Sequence, residues 1–308
     1  MAKKKESNTF AIIVSWIVVL TLLVSAVILG LSYYRPEHPL IKRVVSLFKK
    51  EEPTKEPPES PKPPKDTGRI PKEIVKKPPI IPPTKVRIAI IIDDFGQNFG
   101  EREKALLSLG YPLTFSVLPR LPYSKRAAEE AHSKGLEVML HLPMEPHGYP
   151  GPGKNPGKGA IFTNMSSLEI VRGLKESIKS IPYLSGINNH MGSRATEDER
   201  VMSVILDEAE KNNLFFVDSA TSQNSVAHYL AVKKGLRTGE RQVFLDNEDD
   251  KEYIKGQLRL LAKEAKKDGY AIAIGHVQRK WTSVALAEML PLMEKEGIKV
   301  VPISEVVD

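Results

Sequence analysis

The chain has 308 residues, 41% of them hydrophobic and 27% charged, which is enough apolar content for a sizeable core and excludes a wholly disordered protein. It has no cysteine, which excludes disulfide staples and fits an oxidising compartment as well as a reducing one. The net charge of +7 draws partly on the first 85 residues, and the remainder carries no basic stripe with interleaved aromatics, which excludes a nucleic-acid partner.

Residues 1–9 form a short basic tail containing Lys3, Lys4 and Lys5, and "FAIIVSWIVVLTLLVSAVILGL" comes next without a single charge. At about 1.5 Å per residue this run crosses a hydrocarbon core of roughly 30 Å, so residues 10–32 are expected to be a transmembrane signal anchor. The run exceeds the roughly 7–15 apolar residues of a cleaved signal peptide. Arg35, Lys42, Arg43, Lys49 and Lys50 lie beyond the span, so charge bias alone does not orient it. A short basic tail before a first span stays inside, which predicts a single-pass inner-membrane protein with its bulk on the extracytoplasmic side. Residues 33–85, with "EEPTKEPPESPKPPKDTGRIPKE", have little to bury and read as a disordered linker that tethers the globular remainder of the chain.

From Val86 to Asp308 short apolar runs alternate with amphipathic stretches, the pattern of βα units around a mostly parallel sheet. The expected strands are "RIAIII", "LTFSVL", "LEVMLHL", "GINNH", "LFFVD", "QVFLD", "AIAIG" and "IKVVPI"; between them lie helices such as "YSKRAAEEAHSKG", "SSLEIVRGLKESIKS" and "TEDERVMSVILDEAEKNN". This predicts an α/β domain, a (β/α) barrel of roughly seven or eight mostly parallel strands rather than an open doubly wound sheet. No glycine-rich dinucleotide or phosphate loop comes after a strand, which counts against nucleotide binding.

The strand endings carry the chemistry. The first ends in Asp93 and Asp94, the third in His141 and Glu145, and the fourth in Asn188, Asn189, His190, Ser193 and Arg194. Asp218 and Ser219, then Asp246 and Asn247, then His276 end later strands. In parallel α/β folds these ends share one face, so they are expected to meet in one polar mouth. Asp218 and Asp246 would serve equally to cap the next helices. Three histidines have no such explanation. Paired carboxylates at the end of a buried strand repel unless they hold a cation, share a proton or reach water. Together with neutral imidazoles they suit a divalent metal, zinc foremost, with Fe, Co, Ni or Mn as alternatives. One carboxylate would bind the metal while its neighbour takes a proton from water.

Taken together, "IIDDFG", "LTFSVLP", "LHLPMEP", "GINNHMGSRAT", "FFVDSATS", "RQVFLDN" and "AIAIGH" resemble the divergent polysaccharide deacetylases, relatives of the chitooligosaccharide deacetylase (carbohydrate esterase) superfamily. The resemblance spans residues 86–308 and implies a deformed (β/α) barrel that removes acetyl groups from an N-acetylated glycan with the help of a divalent metal. It implies Asp93 as base, Asp94 and His141 as metal ligands, and His276 as the acid for the leaving amine. The superfamily's second ligand histidine falls on Glu145, so His190 is expected to supply the missing imidazole, while Glu145 would ligate or bind substrate. Arg194 loosely matches an arginine that steadies the catalytic Asp or the oxyanion, and Asn189, Ser193, Asp218 and Asp246 are expected around the substrate or behind the ligands. The replaced ligand also admits a different class of function, a non-catalytic envelope module that binds a glycan or a protein on the same barrel.

Overall fold

Residues 88–92 are wholly buried, as a parallel strand covered on both faces requires; they form the heart of β1 (Arg87–Phe95) in the computed structural model, which describes residues 86–307. The expected tail, membrane span and linker at residues 1–85 lie outside the described residues. Among the described residues no helix is long and apolar enough to cross a membrane.

In chain order β1 is followed by α1 (Glu101–Leu107), β2 (Thr114–Val117), α2 (Ser124–Ser133), β3 (Glu137–Met144), α3 (Ser167–Lys179), β4 (Leu184–Met191), α4 (Glu199–Lys211) and β5 (Phe215–Asp218). Then come α5 (Ala227–Lys234), β6 (Thr238–Glu240), β7 (Val243–Phe244), α6 (Lys251–Asp268), β8 (Tyr270–His276), α7 (Thr282–Lys295) and β9 (Lys299–Val301). Local chemistry sets several helix starts. The Ser166 hydroxyl accepts from Glu169 N while Glu169 accepts from Ser166 N, Asp198 caps α4 through Val201 N, and Asp250 caps α6 through Tyr253 N.

The nine strands, against the seven or eight expected, form one sheet in the order β6-β5-β4-β3-β2-β1-β8-β7, with β9 added on β1; the addition is the three-residue β6. Every pairing is parallel. Arg241 N donates to Asp218 O of β5 and the adjacent Gln242 N to Ile272 O of β8, each at 3.0 Å. Two consecutive residues thus bond to strands near opposite ends of the sheet, which curls it into the expected deformed barrel.

The period of two along each strand sorts side chains between two cores. Ile88, Ile90, Ile92, Leu140, Ile187 and Phe216 face the helices, whereas Ala89, Ile91, Met139, Phe215, Val217, Ile272 and Ile274 fill the interior with Ile303, Val306 and Val307. Continuing the inward rows toward the carboxyl ends leads to Asp93, His141, Asn188, His190 and His276. The barrel interior is therefore apolar at one end and polar at the other.

Candidate metal centre at the carboxyl ends of the strands

Two consecutive strand residues should point to opposite faces, yet Asp93 and Asp94 both serve the mouth. The register of β1 on β2 runs Ile92↔Phe115 and then Phe95↔Val117, so β1 carries an extra residue. Asp94 has φ 68, in the left-handed region. This bulge re-aims the second carboxylate. Gly96 completes the turn at φ 120, and a Cβ there would lie 2.9 Å from Ser124 Oγ and 3.1 Å from Leu118 O, so the motif Asp-Asp-Phe-Gly needs its glycine.

Asp94 Oδ1 lies 3.1 Å from His141 Nε2 and 2.9 Å from His190 Nδ1, and the two ring nitrogens are 3.1 Å apart. These atoms form a nearly equilateral triangle. A tetrahedral zinc shell with bonds of about 2.0–2.1 Å has edges of roughly 3.3 Å, close to what is seen. Asp94 Oδ1 is buried against the two imidazole nitrogens, a position that is costly for a carboxylate oxygen unless a cation or a ring proton meets it. Its other oxygen is held by Gln278, whose Nε2 donates to Oδ2 at 2.5 Å. The donor set of one carboxylate and two imidazoles fits a divalent metal of the zinc type.

Asn188 organises the layer beneath. Its Oδ1 accepts from His141 Nδ1 (2.9 Å) and Ser116 Oγ (2.5 Å), and its Nδ2 donates to Asp93 Oδ1 (2.9 Å). With Nδ1 carrying the proton, His141 presents the Nε2 lone pair to the triangle. Asp93 Oδ2 is 3.6 Å from that Nε2, near the triangle without joining it.

Burial raises the Asp93 pKa, opposed by His141 and His276. Burial also acts to raise that of Asp94, but the two imidazoles against it hold it far below the ordinary carboxylate range. Burial disfavours protonated His141, yet the charges of Asp93 and Asp94 push its pKa up to about 9. A site with this negative field attracts a cation.

His276 ends β8 opposite Asp93 in the strand register. Its Nδ1 donates to Asp246 Oδ1 at 2.8 Å, and Asp246 Oδ2 accepts from His276 N (2.6 Å) and Thr282 Oγ1 (2.7 Å). Burial works against protonation of the ring, but this carboxylate raises its pKa.

The remaining expected residues lie elsewhere. Glu145 is outside the triangle: Oε1 accepts from Arg194 Nη1 at 3.1 Å, and Oε2 from Thr163 N and Oγ1 at 2.6 and 2.7 Å. Arg194 is thus spent on Glu145 rather than on Asp93. Asp218 accepts from Ala220 N and Ser225 Oγ and fixes the turn after β5; it does not cap α5, whose N-cap is Val226, so the capping alternative fails there. Asn189 Oδ1 accepts from Ser219 N and joins the ends of β4 and β5, while Ser193 Oγ accepts from His147 N.

Three further groups have no counterpart among the residues expected from sequence. Ser116 is a buried polar residue within a strand of apolar neighbours, and that interruption is a readable signal. Gln278 lies two residues past the strand end and has none. Arg241 donates from Nε and Nη2 to Ser219 O and Ala220 O, at 2.7 and 2.8 Å, on the rim beside Asp218.

The sequence profile described as divergent polysaccharide deacetylase matches residues 90–307. The chain belongs to that family. Two relatives of the chain are bacterial. It is 37% identical to the uncharacterized protein YibQ of Escherichia coli (strain K12) over 191 residues, covering 62% of this chain and 58% of YibQ. It is 30% identical to an uncharacterized protein of Haemophilus influenzae (strain ATCC 51907 / DSM 11121 / KW20 / Rd) over 208 residues, covering 68% and 72% of the two chains. The match therefore leaves over a third of YibQ unaligned. Among solved structures, the uncharacterized protein ATU2773 of Agrobacterium tumefaciens C58 superposes with a TM-score of 0.68 at 23% identity, over 72% of this chain and 89% of that one. That likeness concerns the fold of the divergent polysaccharide deacetylase domain.

Proposed function

We propose that this protein is a metal-dependent hydrolase that removes acetyl groups from an N-acetylated polysaccharide of the cell envelope. The observation that carries the reading is the triangle of Asp94, His141 and His190, with Asp93 beside it and His276 across the strand register. When bound there, a zinc-type ion supplies Lewis-acid activation of water and of the acetamide carbonyl.

The residues of the chain handle the protons. Asp93, made more basic by burial and held by Asn188, takes a proton from the attacking water. His276, kept protonated by Asp246, delivers one to the departing amine nitrogen. The C–N bond breaks, water supplies the hydroxyl of acetate, and the sugar leaves as a free amine. Family membership supports this class of reaction. His190 stands in for the imidazole that Glu145 replaces, so the changed motif does not empty the site.

Residues 10–32 would anchor the enzyme in the inner membrane, and residues 33–85 would carry the barrel into the extracytoplasmic space toward its glycan. Full-length protein loaded with zinc should release acetate from N-acetylglucosamine oligomers, and Asp93→Asn should stop the release while metal content stays stoichiometric. Equal rates in both proteins would refute the reading.

A further inference from the structure

Next to the metal centre, between the turn after β1 and the turn after β8, lies a cleft of about 400 Å³ lined by Gln97, Asn98, Glu101, Arg102, Val277 and Gln278. This is within the ~300–1,000 Å³ range of small-ligand sites. The candidate metal ligands do not line it, but Gln278 touches Asp94 directly, so the two compartments share a wall.

That wall is fixed from several sides. Phe99 packs against the core with the Arg126 guanidinium 4.5 Å over its ring, and Gly100 N donates to the buried Glu103 carboxylate at 2.8 Å. Arg102 Nη1 donates to Gln278 O at 2.6 Å, tying α1 to the turn that carries Gln278. Gln97 and Asn98, by contrast, are exposed, and their amides engage no protein group among the described residues. Each amide offers both donors and an acceptor. Arg102 is matched by Glu101 and Glu103, which leaves no surplus positive charge to attract an anion. Free amides without net positive charge around them suit the hydroxyls of an uncharged pyranose.

We propose that this cleft is a subsite for an uncharged sugar residue adjoining the one that reacts, and that Gln278 couples its occupancy to the metal centre. The proposal rests on the hydrolase reading above. Gln278 holds Asp94 Oδ2 and so keeps Oδ1 aimed at the two imidazoles. A sugar packed against Gln278 and a metal bound to Asp94 favour the same arrangement, and such coupling is reciprocal.

The test uses full-length protein, a fully N-acetylated chitotetraose titrated by calorimetry, and cobalt(II) titrated by its visible absorption. Zinc-loaded protein should bind the tetramer at least about 5-fold more tightly than metal-free protein, the low end of usual coupling factors. The double variant Gln97→Ala/Asn98→Ala should weaken the tetramer and leave cobalt affinity unchanged. Gln278→Leu should weaken cobalt by about 10-fold, the scale of losing a hydrogen bond behind a ligand, and make tetramer binding insensitive to metal. Unchanged tetramer affinity in the double variant overturns the subsite, and equal tetramer affinity with and without zinc overturns the coupling. Tetramer binding that depends on both, without acetate release, would sink the hydrolase reading and leave the subsite standing.

Discussion

Asp93 and Asp94 are covalent neighbours with different surroundings, because one bulge turns them toward different partners. Asp93 meets Asn188 and stays 3.6 Å from His141, whereas Asp94 faces both imidazoles. Asp94→Asn is therefore expected to lose the metal, and Asp93→Asn to keep it while losing about 10²–10⁴-fold in rate, the usual worth of a general base. Metal content by mass spectrometry and turnover in the same preparations check this. A second prediction concerns His276, whose ordinary pKa of 6.5 is raised by Asp246 against the effect of burial. Pairing with Asp246 contributes stability that is fully present below the ordinary value and is lost as pH rises through the raised one. Asp246→Asn should thus destabilise the protein most at acid pH and move the alkaline limb of kcat/KM to lower pH, both measurable in one pH series. At this scale the sequence is informative where polar residues interrupt apolar strands, as at Asp93, His141, His190 and His276. Gln278 and the pairing of Arg194 with Glu145 depend on which loops meet in space, and no local pattern encodes that.

Among the elements, the segment from β3 to α3 is organised around Glu145. Glu145 fastens Thr163, Arg194 Nη1 bonds to it, and Arg200 donates to Thr163 O and Met165 O at 2.6 and 2.9 Å. His147 at the other end of the loop meets Glu197 at 2.9 Å. Glu145 is therefore a clip for the loop over the mouth. Glu145→Gln is expected to leave metal affinity unchanged and to cost about 1–3 kcal/mol through the unmatched Thr163 donors and the weakened ion pair. Amide exchange should accelerate from residue 147 to 163, whereas slow exchange with lost metal would make Glu145 a ligand after all. The long strands β1, β3, β4 and β8 arise from their apolar runs. The short β6, α1 and α5 fall outside the expected elements: three strand residues including Gly239 show no alternation, and helices of seven and eight residues span only about two turns.

At the scale of the whole barrel, parallel strands collect residues from position 93 to position 276 at one rim, while Val306 and Val307 help fill the apolar interior. Such convergence is legible in outline, because alternating strands and helices place all strand ends on one face. What the alternation lacks is the closure, where Arg241 and Gln242 bridge β5 and β8 through two backbone bonds. Ion binding at the rim should raise the unfolding temperature of the entire described domain, since the candidate ligands come from β1, β3 and β4 and cannot be assembled in an unfolded chain. The most direct measurement is anomalous X-ray scattering at the zinc edge from crystals of the zinc-loaded protein. A single peak within bonding distance of Asp94 Oδ1, His141 Nε2 and His190 Nδ1 is the predicted result; zinc bound only elsewhere, with these three atoms free, would contradict it.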